Sequence, residues 1–344
     1  MQMNRSIPTW KKLLLAGSTL TLLAGFLNLA WNTNILGPDS LCHNVVSAAQ
    51  VERTLGGTGR LDGSSTKTPP AAGTVEFRCI VRQTTKLIGQ EEGYLRLEAS
   101  GTTSGFRFSA LNQGRAAETS FFSGESTGGV SDYGGWIMLP ESCWKATESR
   151  SPGGESRVYA VEASAMANKL KHLELARLLV DAANNVSRRA GCASEKMSAP
   201  TELQPPTGRQ DSDFTKVCGI NGFTLPHPRG SGQGKPSEGS HPLPASIWAC
   251  DLFLTENQPP SASFTMTQDK LLVSALSQKN HRSADNEKFA SCNGKTIYFG
   301  MNGSAQYRRL AERSNGTELP DEEALFASFV KAAGSTVGCG NITP

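Results

Sequence analysis

Eight cysteines, the feature that most limits how this chain can fold, fall into two sets of four with similar surroundings. The eight positions all lie beyond the N-terminal apolar run and are Cys42, Cys79, Cys143, Cys192, Cys218, Cys250, Cys292 and Cys339. None lies in the C-x-x-C spacing that is typical of zinc and thioredoxin-type sites. An even number of such cysteines indicates disulfide bonds formed in an oxidising compartment. We therefore predict disulfides and no metal or cofactor ligands.

The second cysteine of each set lies in an alternating run, TVEFRCIVR in the first set and WACDLFL in the second. Alternation places one face of a strand on a core and turns the cysteine inward. Further strand-like runs follow the second and third cysteines in both sets. The pattern predicts two tandem α+β units, residues 41–192 and 214–344, each an antiparallel sheet with a C-terminal helix packed on one face.

The fourth cysteine of each set ends a helix-like stretch, LVDAANNVSRRAGC in one unit and FVKAAGSTVGC in the other. Apolar residues recur at helical spacing before it, as an amphipathic helix on a sheet requires. They are Leu175, Leu179 and Ala182 in the first unit and Leu325, Phe329 and Ala332 in the second.

The cysteine spacings favour one disulfide pairing among the three that four cysteines allow. The first-to-second and third-to-fourth spacings are similar in the two units, whereas the second-to-third spacing differs most. A bridge closes its loop at fixed geometry, so large insertions are accommodated better outside it. We expect the pairs to be Cys42–Cys79, Cys143–Cys192, Cys218–Cys250 and Cys292–Cys339.

An uncharged and mostly apolar run, LLLAGSTLTLLAGFLNLAW, covers residues 13–31 after Arg5, Lys11 and Lys12. At about 1.5 Å per residue it is just long enough for a bilayer core of about 30 Å. The run predicts a transmembrane anchor at 13–31, a cytoplasmic N-terminus at 1–12 and a short linker at 32–40. The rest of the chain is then extracytoplasmic at the cell membrane, and the alternative is secretion after signal cleavage.

The two units are expected to be joined by a linker at residues 193–213, which is polar and contains proline. Charge is nearly balanced, with 34 basic and 31 acidic residues and a net charge of +3. Without blocks of like charge, the composition argues against nucleic acid as a partner.

One motif invites an enzymatic interpretation, because GESTG at 124–128 matches G-x-S-x-G with Ser126 at the nucleophile position. The surrounding glycine- and serine-rich sequence favours a loop instead of the strand, sharp turn and helix that the motif needs. The histidines available to such a site have no recognisable setting and are His172, His227, His241 and His281.

The anchor and the two unit openings, SLCHNVVSAAQVERTLGG and VCGINGFTLP, resemble uncharacterised membrane-anchored extracytoplasmic proteins of actinobacteria. A weaker resemblance is to the four-cysteine sensor domains outside some receptor kinases. The resemblance implies an extracytoplasmic α+β protein and transfers no catalytic residue. We expect a non-catalytic, membrane-anchored envelope protein that binds a ligand, a wall component or another protein. The alternatives are a secreted serine hydrolase using Ser126 and a structural spacer.

Overall fold

The structure is a computed structural model that describes most of the chain in segments. Its described residues are 9–57, 59–65, 73–84, 91–102, 115–148, 157–166, 170–193, 195–226, 235–256, 258–278, 286–314, 319–340 and 342. Across these residues the protein is α+β, with three antiparallel sheets and seven α-helices.

The N-terminal apolar run forms a helix, α1 (Thr9–Asn32), but the prediction of a transmembrane segment at 13–31 is wrong. No helix within the described residues is both long and apolar enough to cross a bilayer. Polar residues such as Thr19, Thr21 and Asn28 interrupt its apolar sequence.

The first unit contains a seven-stranded antiparallel sheet in the order β3-β4-β5-β9-β8-β7-β6. Its strands are β3 (Arg60–Ser65), β4 (Phe77–Thr84), β5 (Glu91–Thr102), β6 (Ser120–Phe122), β7 (Gly128–Ser131), β8 (Gly134–Met138) and β9 (Val158–Met166). A two-stranded ribbon precedes it, made of β1 (Ser40–Leu41) and β2 (Val46–Ser47). The helices of this unit are α2 (Ala48–Leu55), α3 (Glu141–Glu148) and α4 (His172–Ala190). A 3-10 helix, Ala116–Glu118, leads into β6.

The second unit contains a six-stranded antiparallel sheet in the order β10-β11-β12-β13-β15-β14. Its strands are β10 (Arg209–Asp211), β11 (Ser237–Ser240), β12 (Ile247–Phe253), β13 (Ala262–Thr267), β14 (Glu287–Cys292) and β15 (Lys295–Gly303). Its helices are α5 (Lys270–Ser277), α6 (Ala305–Ser314) and α7 (Glu322–Thr336).

The two sheets share a core of five strands in the same order. The order β3-β4-β5-β9-β8 in the first unit matches β11-β12-β13-β15-β14 in the second. The second cysteine lies on the second strand of each series, at Cys79 in β4 and Cys250 in β12. Strands β7 and β6 extend the first sheet at one end, and β10 extends the second sheet at the other. The sequence repeat therefore corresponds to a repeat of topology.

The four disulfides are Cys42–Cys79, Cys143–Cys192, Cys218–Cys250 and Cys292–Cys339, so the pairing predicted from spacing is confirmed. In each unit the last bridge fixes the end of the C-terminal helix to the connection that precedes the fourth shared strand, at Cys143 in α3 and at Cys292, the last residue of β14. Asp321 caps the N-terminus of helix α7, and its side chain accepts a hydrogen bond from the amide of Ala324 at 2.8 Å. Four disulfides are typical of an extracytoplasmic or secreted protein.

The C-terminal helix covers one face of each sheet, and we call the opposite face the outer face. In the first unit, the covered face includes Cys79, and a side chain at Gly135 on this face would meet Leu179 of α4. In the second unit, the covered face includes Trp248 and Cys250, and Trp248 stacks on Phe329 of α7 with ring centroids 6.0 Å apart.

The outer face of the second sheet packs on the first unit. Ile247 and Ala249 of β12, three residues of α5 and Tyr298 belong to the same continuous apolar cluster as the core of the first unit. Polar contacts complete the boundary: buried Asp251 accepts a hydrogen bond from the amide of Ala117 at 2.9 Å, and Nε2 of His241 lies 2.7 Å from the Thr119 carbonyl oxygen. Every residue of β12 is buried, because α7 covers one face of the strand and the first unit covers the other.

The segment predicted as a linker, 193–213, is packed along this boundary. Met197 is buried in the first core, and its amide and carbonyl groups both bond the side chain of Asn184. Gln204 forms an antiparallel bridge with Phe121 of β6. The last part of the segment contains β10, an edge strand of the second sheet. The segment therefore joins the two sheets by hydrogen bonds.

Candidate functional site

Charged side chains lie on the outer face of the first sheet, where a single row of cross-strand partners crosses six strands. From β4 to β6 the row is Arg78, Glu98, Glu162, Trp136, Gly129 and Phe121. Cross-strand partners have Cβ atoms about 5 Å apart, so neighbours in the row interact directly. The row begins with three charged residues and ends with aromatic ones.

A cavity of about 230 Å³ opens over the middle of this row. Its lining combines charged, aromatic and glycine residues from β5, β7, β8, β9 and the chain before β6: Arg96, Glu98, Arg115, Thr119, Gly129, Ser131, Tyr133, Gly134, Gly135, Trp136, Glu162, Ala163 and Ser164. Glycine is required at Gly129, because a Cβ there would lie 2.6 Å from the Thr119 side chain, which packs over it.

Glu98 binds the two arginines on its strand and on β4. Arg78 and Arg96 each donate to one of its carboxylate oxygens, and Glu98 is about four-fifths shielded from solvent. Partial burial opposes ionisation of Glu98, but the hydrogen bonds from the two guanidinium groups lower its pKa below the ordinary value. The same contact with Glu98 raises the pKa of Arg78. Glu98 is therefore an ionised carboxylate whose oxygens are already engaged.

Glu162 lies next to Glu98 and differs from it. Within the described residues it has no hydrogen bond or ion pair. Glu162 is exposed at the mouth of the cavity, but neighbouring protein atoms desolvate its carboxylate in part and raise its pKa, the negative charge of Glu98 raises it further, and Arg96 opposes both. Glu162 thus lines the cavity, and its carboxylate has no cationic partner of its own.

Arg115 and Tyr133 form the rim of the cavity. The guanidinium of Arg115 lies over the Tyr133 ring, 4.6 Å from its centroid, and 3.2 Å from a carboxylate oxygen of Glu118. Contact with Tyr133 and the charge of Glu118 raise the pKa of Arg115. Both Arg115 and Glu118 are half exposed, so their ion pair is weak and can be exchanged for another anion.

The β7–β8 hairpin holds Tyr133 in place at the rim. Gly134 has φ +146°, and a Cβ there would lie 2.0 Å from the Ala163 carbonyl oxygen, so only glycine fits. Beside Tyr133, Asp132 contacts His172 of α4, with Oδ1 and Nε2 2.8 Å apart. The hairpin is therefore connected both to β9 and to the C-terminal helix.

The GESTG motif connects the two units and lies outside this cavity. Ser126 is buried in the loop between β6 and β7, and its hydroxyl donates to the Ser198 carbonyl oxygen at 2.9 Å. Thr127 donates to Asp269 of the second unit at 2.9 Å, and Asp269 also caps α5. A strand follows the motif where a nucleophile turn requires a helix.

The histidines named for a site with Ser126 have other described partners. His172 contacts Asp132, and His241 is buried at the unit boundary between the carbonyl oxygens of Thr119 and Ala249. His227 and His281 lie outside the described residues. The structure does not bring Ser126 and either described histidine into a hydrogen bond.

No metal site is formed by the described side chains, since no group of three histidine, cysteine, aspartate or glutamate residues among them could hold an ion. All eight cysteines form disulfides, and none of them lines the cavity. Sequence reasoning missed the cavity residues, above all Arg96, Glu98 and Glu162. The available signal was the charged residues alternating with apolar ones in YLRLEAS and YAVEA, but only strand pairing shows that they meet.

Comparison of the chain with known protein families, with curated proteins and with solved structures finds no match. The case for a function therefore depends on the geometry described above.

Proposed function

We propose that the protein is an extracytoplasmic or secreted binding protein that holds a small polar ligand in the cavity on the outer face of its first sheet. The observation that carries the proposal is the carboxylate of Glu162, which enters the cavity without a partner. Glu162 is exposed and not engaged by an arginine, so a ligand can reach it, and a cationic donor gives its carboxylate a charge-assisted hydrogen bond in place of water.

The setting of the cavity supports binding by a preformed site. Its floor and walls come from paired strands, and its rim residue Tyr133 is held by a hairpin that is connected to two other elements. Sites on rigid strands hold their ligand groups in fixed geometry. A volume of about 230 Å³ is smaller than the roughly 300 to 1,000 Å³ of pockets for drug-sized molecules, so a small metabolite fits best.

The test is to fill the cavity and to compare ligand binding. Ser164→Phe places a ring in the cavity from β9, whereas Ser100→Phe places the same ring on the same sheet face but outside the lining. The probes are free amino acids and monosaccharides at millimolar concentration, with the melting temperature as the signal.

We expect at least one compound to raise the melting temperature of the wild-type protein and of Ser100→Phe, but not of Ser164→Phe. If no compound raises it, or if Ser164→Phe responds as the wild type does, the proposed site is refuted.

A further inference from the structure

The charges around the cavity balance overall, but they leave the carboxylate of Glu162 unpaired. Arg78, Arg96 and Arg115 face Glu98, Glu118 and Glu162, so the six groups sum to zero when ionised. Glu98 binds two arginines, and Glu162 binds none. A ligand with a net charge would disturb this balance, whereas a ligand with one charge of each sign preserves it.

From this distribution we infer that the cavity takes a small zwitterion of the free amino acid class, with its ammonium group on Glu162 and its carboxylate on Arg115. This inference rests on the proposed function, because it assigns a ligand class to the same cavity.

The ammonium end is assigned to Glu162 because this carboxylate lines the cavity, is accessible and has no arginine bound to it. A cation there also offsets the repulsion from Glu98, its direct cross-strand partner. An ammonium group has three donors for carboxylate oxygens.

The carboxylate end is assigned to Arg115 because this guanidinium is the cation at the rim with exchangeable contacts. Arg96 is engaged by partly buried Glu98, whereas the partner of Arg115, Glu118, is half exposed. Tyr133 holds the Arg115 guanidinium over its ring, and a ligand carboxylate that displaces half-exposed Glu118 can accept two parallel hydrogen bonds from it.

Calorimetric titration of the full oxidised chain with the twenty common L-amino acids tests the inference. Each amino acid that binds is compared with its decarboxylated amine and its deaminated acid, for example leucine with 3-methylbutan-1-amine and 4-methylpentanoate. We expect both singly charged analogues to bind about tenfold more weakly or worse, since each loses one charge-assisted contact.

Two variants separate the ends of the ligand. Glu162→Gln should weaken amino acid and amine binding about tenfold and leave the binding of the acid unchanged. Arg115→Gln should weaken the amino acid and the acid and leave the amine unchanged. Glu125→Gln, at an exposed glutamate outside the lining, is the matched control and should bind as the wild type does.

The pH dependence gives a further readout that a structural role of Glu162 would not produce. Amino acid affinity should fall as pH falls through the raised pKa of Glu162, and Glu162→Gln should remove this dependence. The titratable groups that face Glu162 are Glu98 and Arg96 on β5, together with Arg115 and Tyr133 at the rim.

An amine that binds as tightly as its amino acid, or an unchanged affinity in Glu162→Gln, would overturn the inference. If a monosaccharide binds in the cavity and no amino acid does, the ligand class is wrong and the proposed function stands. If neither class of compound binds, both fail.

Discussion

In the first unit the outer sheet face carries charged residues beside a cavity, whereas in the second unit the corresponding face is buried against its neighbour. Alignment of Cys79 with Cys250 makes Arg78 the counterpart of Ala249, and Ile80 the counterpart of Asp251. Arg78 reaches solvent and Glu98, while Ala249 is inaccessible and packs in the first core. The comparison shows that one topology places the same face in two settings, a charged face with an open cavity in the first unit and a face docked on its neighbour in the second.

The largest loss of stability is expected from removing a feature that the two units share, the disulfide that holds each C-terminal helix. Cys143–Cys192 and Cys292–Cys339 close loops of 49 and 47 residues. Loop-closure entropy assigns each about 4 kcal/mol. Replacement of both cysteines of either bridge by serine should therefore lower the free energy of unfolding by nearly equal amounts, as measured by urea denaturation. A difference above about 2 kcal/mol would show that the repeat does not extend to energetics.

The next effect tests the docking surface by giving the second unit the residue that the first unit has. Ala249→Arg buries an unpaired charge in the core of the first unit, so we expect a loss of at least about 3 kcal/mol. The reverse change, Arg78→Ala, removes a partly exposed side chain without burying an unpaired charge and should cost much less. Both are measured by urea denaturation, and similar losses would contradict the assigned difference between the faces.

Asp251 provides a pH-dependent test of the same boundary. Burial raises its pKa to about 6 from an ordinary value of 3.8, so its protonated form is favoured by folding. Because the pKa of Asp251 is higher in the folded protein than in the unfolded chain, its contribution to the free energy of unfolding is largest below pH 4. That contribution falls as the pH rises to 6. The difference in unfolding free energy between wild type and Asp251→Asn should fall by up to about 3 kcal/mol from pH 4 to pH 7.

The control for Asp251 is its counterpart position, Ile80, which carries no titratable group. Ile80→Val should shift the stability by the same amount at every pH. A wild-type profile parallel to that of Asp251→Asn would show that Asp251 is not desolvated by the first unit.

The sequence was informative wherever the signal was local. Alternation around Cys79 and Cys250 predicted strands with one buried face, and similar spacings predicted the disulfide pairs. Helical spacing before Cys192 and Cys339 predicted the C-terminal helices, whose apolar residues Leu179 and Phe329 are fully buried. The strands and helices depend on residues close together in the chain. The disulfide pairs depend on cysteine spacings that are similar in the two units.

The sequence was uninformative wherever two distant segments meet. Glu98 and Glu162 become neighbours only through the register of β5 and β9, which no local pattern specifies. The composition of 193–213 indicated a linker, but hydrogen bonds to both sheets order it. For α1, hydropathy over 13–31 suggested a membrane span that the described part of the helix does not support.

The smallest effect concerns the GESTG loop, whose sequence suggested chemistry and whose contacts indicate docking. Thr127→Val removes the hydroxyl that bonds Asp269 across the boundary and should cost about 1 kcal/mol. Ser126→Ala removes a bond to the connecting segment and should cost a similar amount or less. Because the two residues are adjacent in one loop, we expect the loss in the double variant to differ from the sum of the single losses. Thermal denaturation of the two single variants and the double variant measures this.

The shared apolar cluster determines when the first unit can finish folding. Its last contributor, Tyr298, follows Cys192 by about a hundred residues, which takes roughly 5 to 20 s to synthesise at ordinary elongation rates. A chain that emerges N-terminus first therefore exposes an incomplete core during that time. Bridges such as Cys42–Cys79 can close before the core is complete and would limit the misfolding of the waiting unit. The second unit in this way acts as a built-in folding partner for the first.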